Sequence, residues 1–244
     1  MSRAKPRIIF YHLPRTAGSA LTYDFLFPNF PLWRRIHVNY DSQMTALHRG
    51  KDPRSWPWWR RRWIQLIAGH MPFGFAQDFP GRSESITFVR DPIARAVSDY
   101  HFCRKHPANP AFASAHKLSL IEFAEADFSY VRNGQVRWLS NATYGARFAN
   151  DEAMLEQALK NLAQMSFVGI TEQFDASLER LCARYGLATH SGHRQHKNAF
   201  TPRGNSLSEE ELSVLRRHNS LDLVFYEHCL ERFGAPGRAA GASG

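Results

Sequence analysis

Cysteine is scarce in this chain: Cys103, Cys182 and Cys229 are the only three in 244 residues. Their wide separation fits neither a disulfide framework nor a zinc-ligand spacing, so reduced, packed thiols are expected. Long apolar runs are missing as well. None approaches the roughly 20 residues that a membrane-spanning helix needs, and the N-terminal stretch has no apolar block of the secretory kind. These absences lead to the expectation of a soluble chain in the cytoplasm. Acidic residues are outnumbered, 22 Asp and Glu against 31 Lys and Arg, for a formal net charge of +9. That balance favours an anionic partner, whether nucleotide, acidic polysaccharide, nucleic acid or membrane surface, without choosing among them. No internal repeat is found. At 43% hydrophobic residues the chain can bury a substantial core, which fits one α/β domain over 1–234 followed by a disordered Ala/Gly-rich tail over 235–244.

Short apolar runs alternate with segments of helical period. Residues 7–11 read as a first strand, 64–68 as a second, 86–90 as a third and 167–170 as a fourth. Residues 28–63, punctuated by Pro28, Pro31, Pro53 and Pro57, read as irregular. Helices are expected over 19–27, from Pro92 through Cys103, after a cap at Asn150 or Asp151, over 174–185 with a stop at Gly186, after the Ser208/Glu211 capping box, and over 220–233. Strands alternating with helices predict a mostly parallel sheet covered on both faces, with ligands bound beyond the carboxyl ends of its strands.

Two strand–turn–helix junctions carry the chemistry. Pro14-Arg15-Thr16-Ala17-Gly18-Ser19 follows the first strand and supplies a cation, small residues and two hydroxyls at a helix start. Such a junction is an anion site, because unpaired N–H groups and the helix dipole point at one spot. The stretch is too short for G-x-x-x-x-G-K-[ST], and no glycine stands where that pattern begins. The second junction is Arg90-Asp91-Pro92, with Ser98 about two helical turns on. Asp91 and Arg95 read as an i,i+4 pair at the helix start, and Tyr100 reads as core. Either junction alone reads equally well as an ordinary turn with a surface arginine; the pairing predicts a ligand with phosphates at both ends. Gly69-His70 falls at a third strand end, and histidine suits a general base because its ordinary pKa lies near operating pH.

These segments resemble the sulfotransferases that use 3′-phosphoadenosine 5′-phosphosulfate (PAPS). The resemblance runs from about residue 7 to 233, and the Gly69-His70-Met71-Pro72-Phe73 segment is similar to the uronosyl, or heparan sulfate 2-O, branch. It implies a P-loop-like α/β fold and transfer of a sulfuryl group from PAPS to an acceptor hydroxyl, with a carbohydrate, in particular an acidic saccharide, as the acceptor class. It further implies 5′-phosphosulfate binding by Arg15, Thr16, Ala17, Gly18 and Ser19, and 3′-phosphate binding by Arg90 and Ser98. His70 is the implied catalytic base. Arg15 stands where the family usually carries lysine, and neutralises the leaving phosphate with a bidentate fork instead of a point charge. No metal is implied, since arginines and helix N-termini supply the neutralisation.

Other features are less specific. Asn133-Gly134-Gln135-Val136-Arg137 resembles a central family segment in which Arg137 contacts cofactor, acceptor or Trp138, and 167–178 reads as scaffold. Lys197 falls where related enzymes carry a loop over the nucleotide. Five of the six tryptophans lie between Trp33 and Trp63, interleaved with arginines; this pattern fits sugar or nucleic-acid binding and equally fits arginine stems over packed indoles. Two other readings stand beside the transferase: a nucleotide-dependent kinase, disfavoured by the missing lysine pattern, and a non-enzymatic basic module that binds nucleic acid. Glu84, His12 and His101 are the alternative bases.

Overall fold

The run Arg7-Ile8-Ile9-Phe10-Tyr11 forms strand β1 (Arg7–Tyr11), buried at every position, as a strand covered on both faces should be. The computed structural model describes residues 5–40, 46–48, 51–126, 131–189 and 207–234. The further strands are β2 (Arg35–Tyr40), β3 (Ala46–Leu47), β4 (Leu66–His70), β5 (Ser83–Val89) and β6 (Phe167–Ile170), arranged as β3-β2-β4-β1-β5-β6. β2, β4, β1, β5 and β6 run parallel, and the short edge strand β3 pairs antiparallel with β2. The expected α/β class with a mostly parallel sheet is therefore the observed one.

Helices cover both faces. After β1 come α1 (Gly18–Ala20), which continues through π-type turns over Leu21–Leu26 and a 3-10 turn over Phe27–Asn29, and then α2 (Trp58–Trp63). The remainder are α3 (Pro92–Lys105), α4 (Phe112–Lys117), α5 (Leu120–Glu125), α6 (Gly134–Leu139), α7 (Asp151–Ala163), α8 (Phe174–Tyr185), α9 (Glu209–His218) and α10 (Ser220–Phe233). The period-2 alternation of β1 divides the core. Ile9 and Tyr11 pack with Val136, Leu162 and Phe225 on one side, and Ile8 and Phe10 with Leu21, Phe25 and Leu181 on the other. Each such aliphatic or aromatic side chain contributes about 1.5–3 kcal/mol by leaving water. A third cluster joins α3 to α4, α5 and α9 through Val97, Phe123 and Leu215.

The expected irregular stretch 28–63 is corrected by β2, β3 and α2. In Arg35-Ile36-His37-Val38, Ile36 and Val38 are buried while Arg35 and His37 are partly exposed; this is the alternation of a strand buried on one face, and the prolines flank it without entering it. The second expected strand shifts from 64–68 to 66–70, because the Ile64 N–H still closes the turn of α2 on the Arg61 carbonyl. Gly69 has φ 138°, and a Cβ there would overlap the Val38 carbonyl of the neighbouring strand, so Gly69 is required by the close approach of β2 to β4.

Asp91 and Arg95 do not form a side-chain pair. Asp91 caps α3, accepting from the Ala94 N–H at 2.7 Å, and the fully buried Arg95 turns inward to Asp99 at 2.7 Å and Asp222 at 3.6 Å. Arg95 also donates to the Val131 carbonyl at 2.8 Å. Asp222 in turn accepts from the N–H groups of Gln135 and Val136 at 3.0 and 2.8 Å. This buried network fastens α3, α6 and α10 together. Arg95→Ala leaves two buried carboxylates without their cation and is expected to lower unfolding stability by about 3–5 kcal/mol, read from urea denaturation. A loss below about 1 kcal/mol would show that the network relaxes around water.

Candidate active site

Beyond the carboxyl ends of β1, β4 and β5 lies a cavity of about 480 Å³. Arg15, Ala17, Gly18 and Ser19 line it from the first junction, Arg90 and Ser98 from the second, and His70 from the end of β4. One cavity thus gathers the expected base with most of the expected anion-binding residues. Thr16 departs from expectation: it is fully buried, and its hydroxyl donates to the Leu13 carbonyl at 2.8 Å, bracing the loop instead of facing the cavity. Arg137 does not line the cavity, whereas the adjacent Trp138 does. Lys197 lies outside the described residues, as does the tail from 235.

The first loop owes its shape to two residues with left-handed backbone, Arg15 at φ 67° and Ala17 at φ 62°. Such turns aim successive N–H groups into a concavity, and no side chain caps the helical run that starts at Gly18. A Cβ on Gly18 would overlap the His12 ring, so only glycine lets the loop lie against that histidine. The Arg15 side chain reaches across to the second loop. Its Nε donates to Ser98 Oγ at 3.0 Å, and its guanidinium lies 4.6 Å from the centre of the Phe102 ring. Arg90 Nη1 returns the connection by donating to the Arg15 carbonyl at 3.1 Å.

Arg90 is held from behind. The Gln135 side chain accepts from the Arg90 N–H at 2.9 Å and donates to the Arg90 carbonyl at 2.8 Å. Glu172 accepts from the Asp91 N–H at 3.0 Å and stands 4.0 Å from Arg90 Nε. Neither role was expected; the only sequence signals were the family-like segments containing Gln135 and Glu172. Burial pushes both cavity guanidiniums below their ordinary pKa, and Arg15 lowers that of Arg90 further. Both remain charged. Among the described residues lining the cavity the single carboxylate is Asp99, already paired with Arg95. The cavity is consequently short of negative charge, which is the electrostatic requirement of an anion site.

His70 Nδ1 lies 2.7 Å from the His12 carbonyl oxygen. A carbonyl only accepts, so Nδ1 carries the proton and Nε2 keeps its lone pair when the ring is neutral. The His12 and His70 rings stack at 4.4 Å, and Trp138 closes on His70 at 5.1 Å. Burial lowers the pKa of both histidines; the hydrogen bond to His12 partly opposes this for His70, while the charges of His70, His37 and Arg15 add to it for His12. Of the alternative bases, His12 also lines the cavity, stacked on His70, and the other two lie elsewhere. Glu84 is near the opposite end of the sheet, bound to Tyr185 at 3.0 Å and to Arg184 at 3.3 Å. His101 does not line the cavity. Among the described residues no cluster of three or more His, Cys, Asp or Glu could hold a metal ion.

Comparison with known proteins adds relatives. Heparan-sulfate 6-O-sulfotransferase 1 of Homo sapiens is 24% identical, the match covering 63% of this chain and 44% of that protein. The Gallus gallus protein of the same name is 25% identical over 61% of this chain and 43% of its own length. Over these stretches the chain is similar to heparan-sulfate 6-O-sulfotransferases. It spans less than half the length of these curated relatives. No protein-family model matches it. Among solved structures, mouse sulfotransferase SULT7A1 complexed with PAP aligns at 15% identity and a TM-score of 0.39, covering 89% of this chain and 65% of that one.

The lowered pKa sets a sign. The neutral, proton-accepting ring of His70 persists as pH falls below the ordinary value of 6.5. As pH falls through that value the unfolded chain takes up protons that folded His12 and His70 refuse, so both lower stability in acid. NMR titration of the histidine rings is expected to show His70 as the Nδ1–H tautomer with a midpoint below 6.5. A midpoint above that value would contradict the buried geometry.

Proposed function

We propose that this protein transfers a sulfuryl group from PAPS to a hydroxyl of a carbohydrate. The observation that carries the proposal is the single cavity shared by two partly buried arginines, a capless loop of helix-start N–H groups and a histidine whose Nε2 keeps its lone pair. That donor set fits a ligand with phosphate at both ends. The N–H groups of residues 17–19 would hold the 5′ end, Arg90 and Ser98 the 3′-phosphate, and Arg15 bridges the two. When bound, the donor supplies an electrophilic sulfur on a phosphate leaving group.

The rest of the chemistry falls to the chain itself. His70 Nε2 accepts the hydroxyl proton of the acceptor as its oxygen attacks. The His12 carbonyl holds the other nitrogen protonated and stabilises the imidazolium that forms. Arg15 and the loop N–H groups face the negative charge that grows on the departing phosphate, a preorganised arrangement of donors. Charge neutralisation by arginine, with no metal, belongs to this proposal. A saccharide acceptor is supported by the heparan-sulfate 6-O-sulfotransferases to which the chain is similar. A cytoplasmic location is supported by three free cysteines.

Thermal-shift measurements test the reading. Adenosine 3′,5′-bisphosphate is expected to raise the unfolding temperature, since a ligand that binds only the folded state stabilises it; stabilisation by ATP with magnesium or by oligonucleotide alone would overturn the proposal. Arg90→Ala is expected to weaken adenosine 3′,5′-bisphosphate by about 1.5–3 kcal/mol, with adenosine 5′-phosphate little changed, as measured by calorimetry. Equal losses for both nucleotides would make Arg90 a structural residue.

His70→Ala and His70→Asn are expected to lose about 10²–10⁴ in transfer rate while binding the bisphosphate normally. Radiolabelled transfer to desulfated saccharides measures this. Near-wild-type turnover in the asparagine variant would remove His70 from the mechanism.

A further inference from the structure

The tryptophan–arginine segment is absorbed by neither fold nor cavity. Of its five indoles only Trp56 is buried; Trp33, Trp58, Trp59 and Trp63 are each more than half exposed, and Leu32 beside them is 62% exposed. An apolar side chain left singly on a surface is ordinary, but four indoles and a leucine on two adjoining segments form a patch. The adjoining is direct. Arg35, which follows Leu32-Trp33-Arg34, pairs with Leu66, just after α2, and the Trp33 and Trp63 rings meet at 6.4 Å. Arg34 lies over Trp33 at 4.2 Å and Arg60 over Trp56 at 3.8 Å, while Arg62 is exposed. Asp52, in the turn before α2, is already paired with Arg54 at 2.8 Å.

Position decides what this patch can meet. Both segments precede their strands, so they lie at the amino ends of β2 and β4, whereas the cavity lies beyond the carboxyl ends. The five residues of β4 put about 16 Å of sheet between them. An acceptor in the cavity does not reach the patch by a direct path. Indoles at the rim with arginines whose stems lie along them match the preference of an interfacial surface, where aromatic rings sit at headgroup level and basic heads meet anionic lipid.

We propose that the exposed face of Leu32, Trp33, Trp58, Trp59 and Trp63, with Arg34, Arg60 and Arg62, docks this protein on an anionic lipid bilayer surface, leaving the cavity directed away from the membrane. No described helix is long and apolar enough to cross a membrane; the docking proposed is by this surface. Arginine charge supplies long-range attraction, and indole burial at the headgroup boundary supplies the part that salt does not screen.

Co-sedimentation of the full chain with vesicles tests this at physiological salt. Binding is expected to vesicles of phosphatidylcholine with phosphatidylserine, and to be weaker by about tenfold or more on phosphatidylcholine alone. Trp58→Ser with Trp59→Ser, and separately Arg60→Glu with Arg62→Glu, are each expected to weaken binding by about tenfold or more. Unchanged circular dichroism and unfolding temperature show that these surface variants fold. A blue shift of tryptophan emission on anionic vesicles is expected in the parent chain and reduced in the Trp58/Trp59 variant. No binding to anionic vesicles would overturn the proposal. So would equal binding by all variants, tryptophan-dependent binding to a soluble acidic polysaccharide without vesicle binding, or a dimer in solution that the serine variant dissociates.

Discussion

The ion pairs of Arg95 with Asp99 and Asp222 are the constraint on which the site depends. Their guanidinium and carboxylates are almost wholly removed from water, a placement whose desolvation cost is offset only when every remaining hydrogen bond is made. That requirement reaches outward. Asp222 takes the N–H groups of Gln135 and Val136, and Gln135 then fixes the backbone of Arg90 from both sides. Asn133 and Asn219 extend the same lattice, Asn133 accepting from the Leu221 N–H at 3.0 Å and Asn219 from the Asn133 N–H at 3.1 Å. Gly134 lies so close to the Arg95 guanidinium that a Cβ there would stand 2.7 Å from its central carbon. The position of one cavity arginine is therefore set by another arginine that does not line the cavity.

The two cavity cations are tied differently. Arg90 is fixed through its backbone, whereas Arg15 is directed by a left-handed turn and held only by Ser98 and the Phe102 ring. The sheet makes the arrangement possible, because β1, β4 and β5 are adjacent and parallel and deliver their following loops to one edge. A mixed order of strand directions would have sent His70 and Arg90 to opposite ends.

Much of this was legible in the sequence. Strand ends followed by local motifs bring Arg15, Ala17, Gly18, Ser19, His70 and Arg90 to one cavity, because a parallel sheet turns local motifs into neighbours. The partners of Arg95 are not legible, because a helical i,i+4 rule sees Asp91 at the helix start and has no access to Asp222 on α10; the closer partner, Asp99, satisfies the same rule in the other direction. Gln135 and Glu172 were invisible as supports, since their partners are backbone groups of a distant turn. β2 is masked in the sequence although Ile36 and Val38 alternate with polar residues, because prolines on either side read as irregular chain. Thr16 looked like a ligand hydroxyl, and only its buried bond to Leu13 shows a brace.

The tautomer of His70 is governed by an atom that no substitution can delete. Its partner is the main-chain oxygen of His12, delivered by the end of β1, and any residue at that position brings the same oxygen. A chain that drifts at position 12 would keep the proton on Nδ1, provided the new side chain leaves room for Gly18. Inheritance of the proton's place thus passes through the path of the backbone, and a search for co-varying side-chain partners of His70 would find none there.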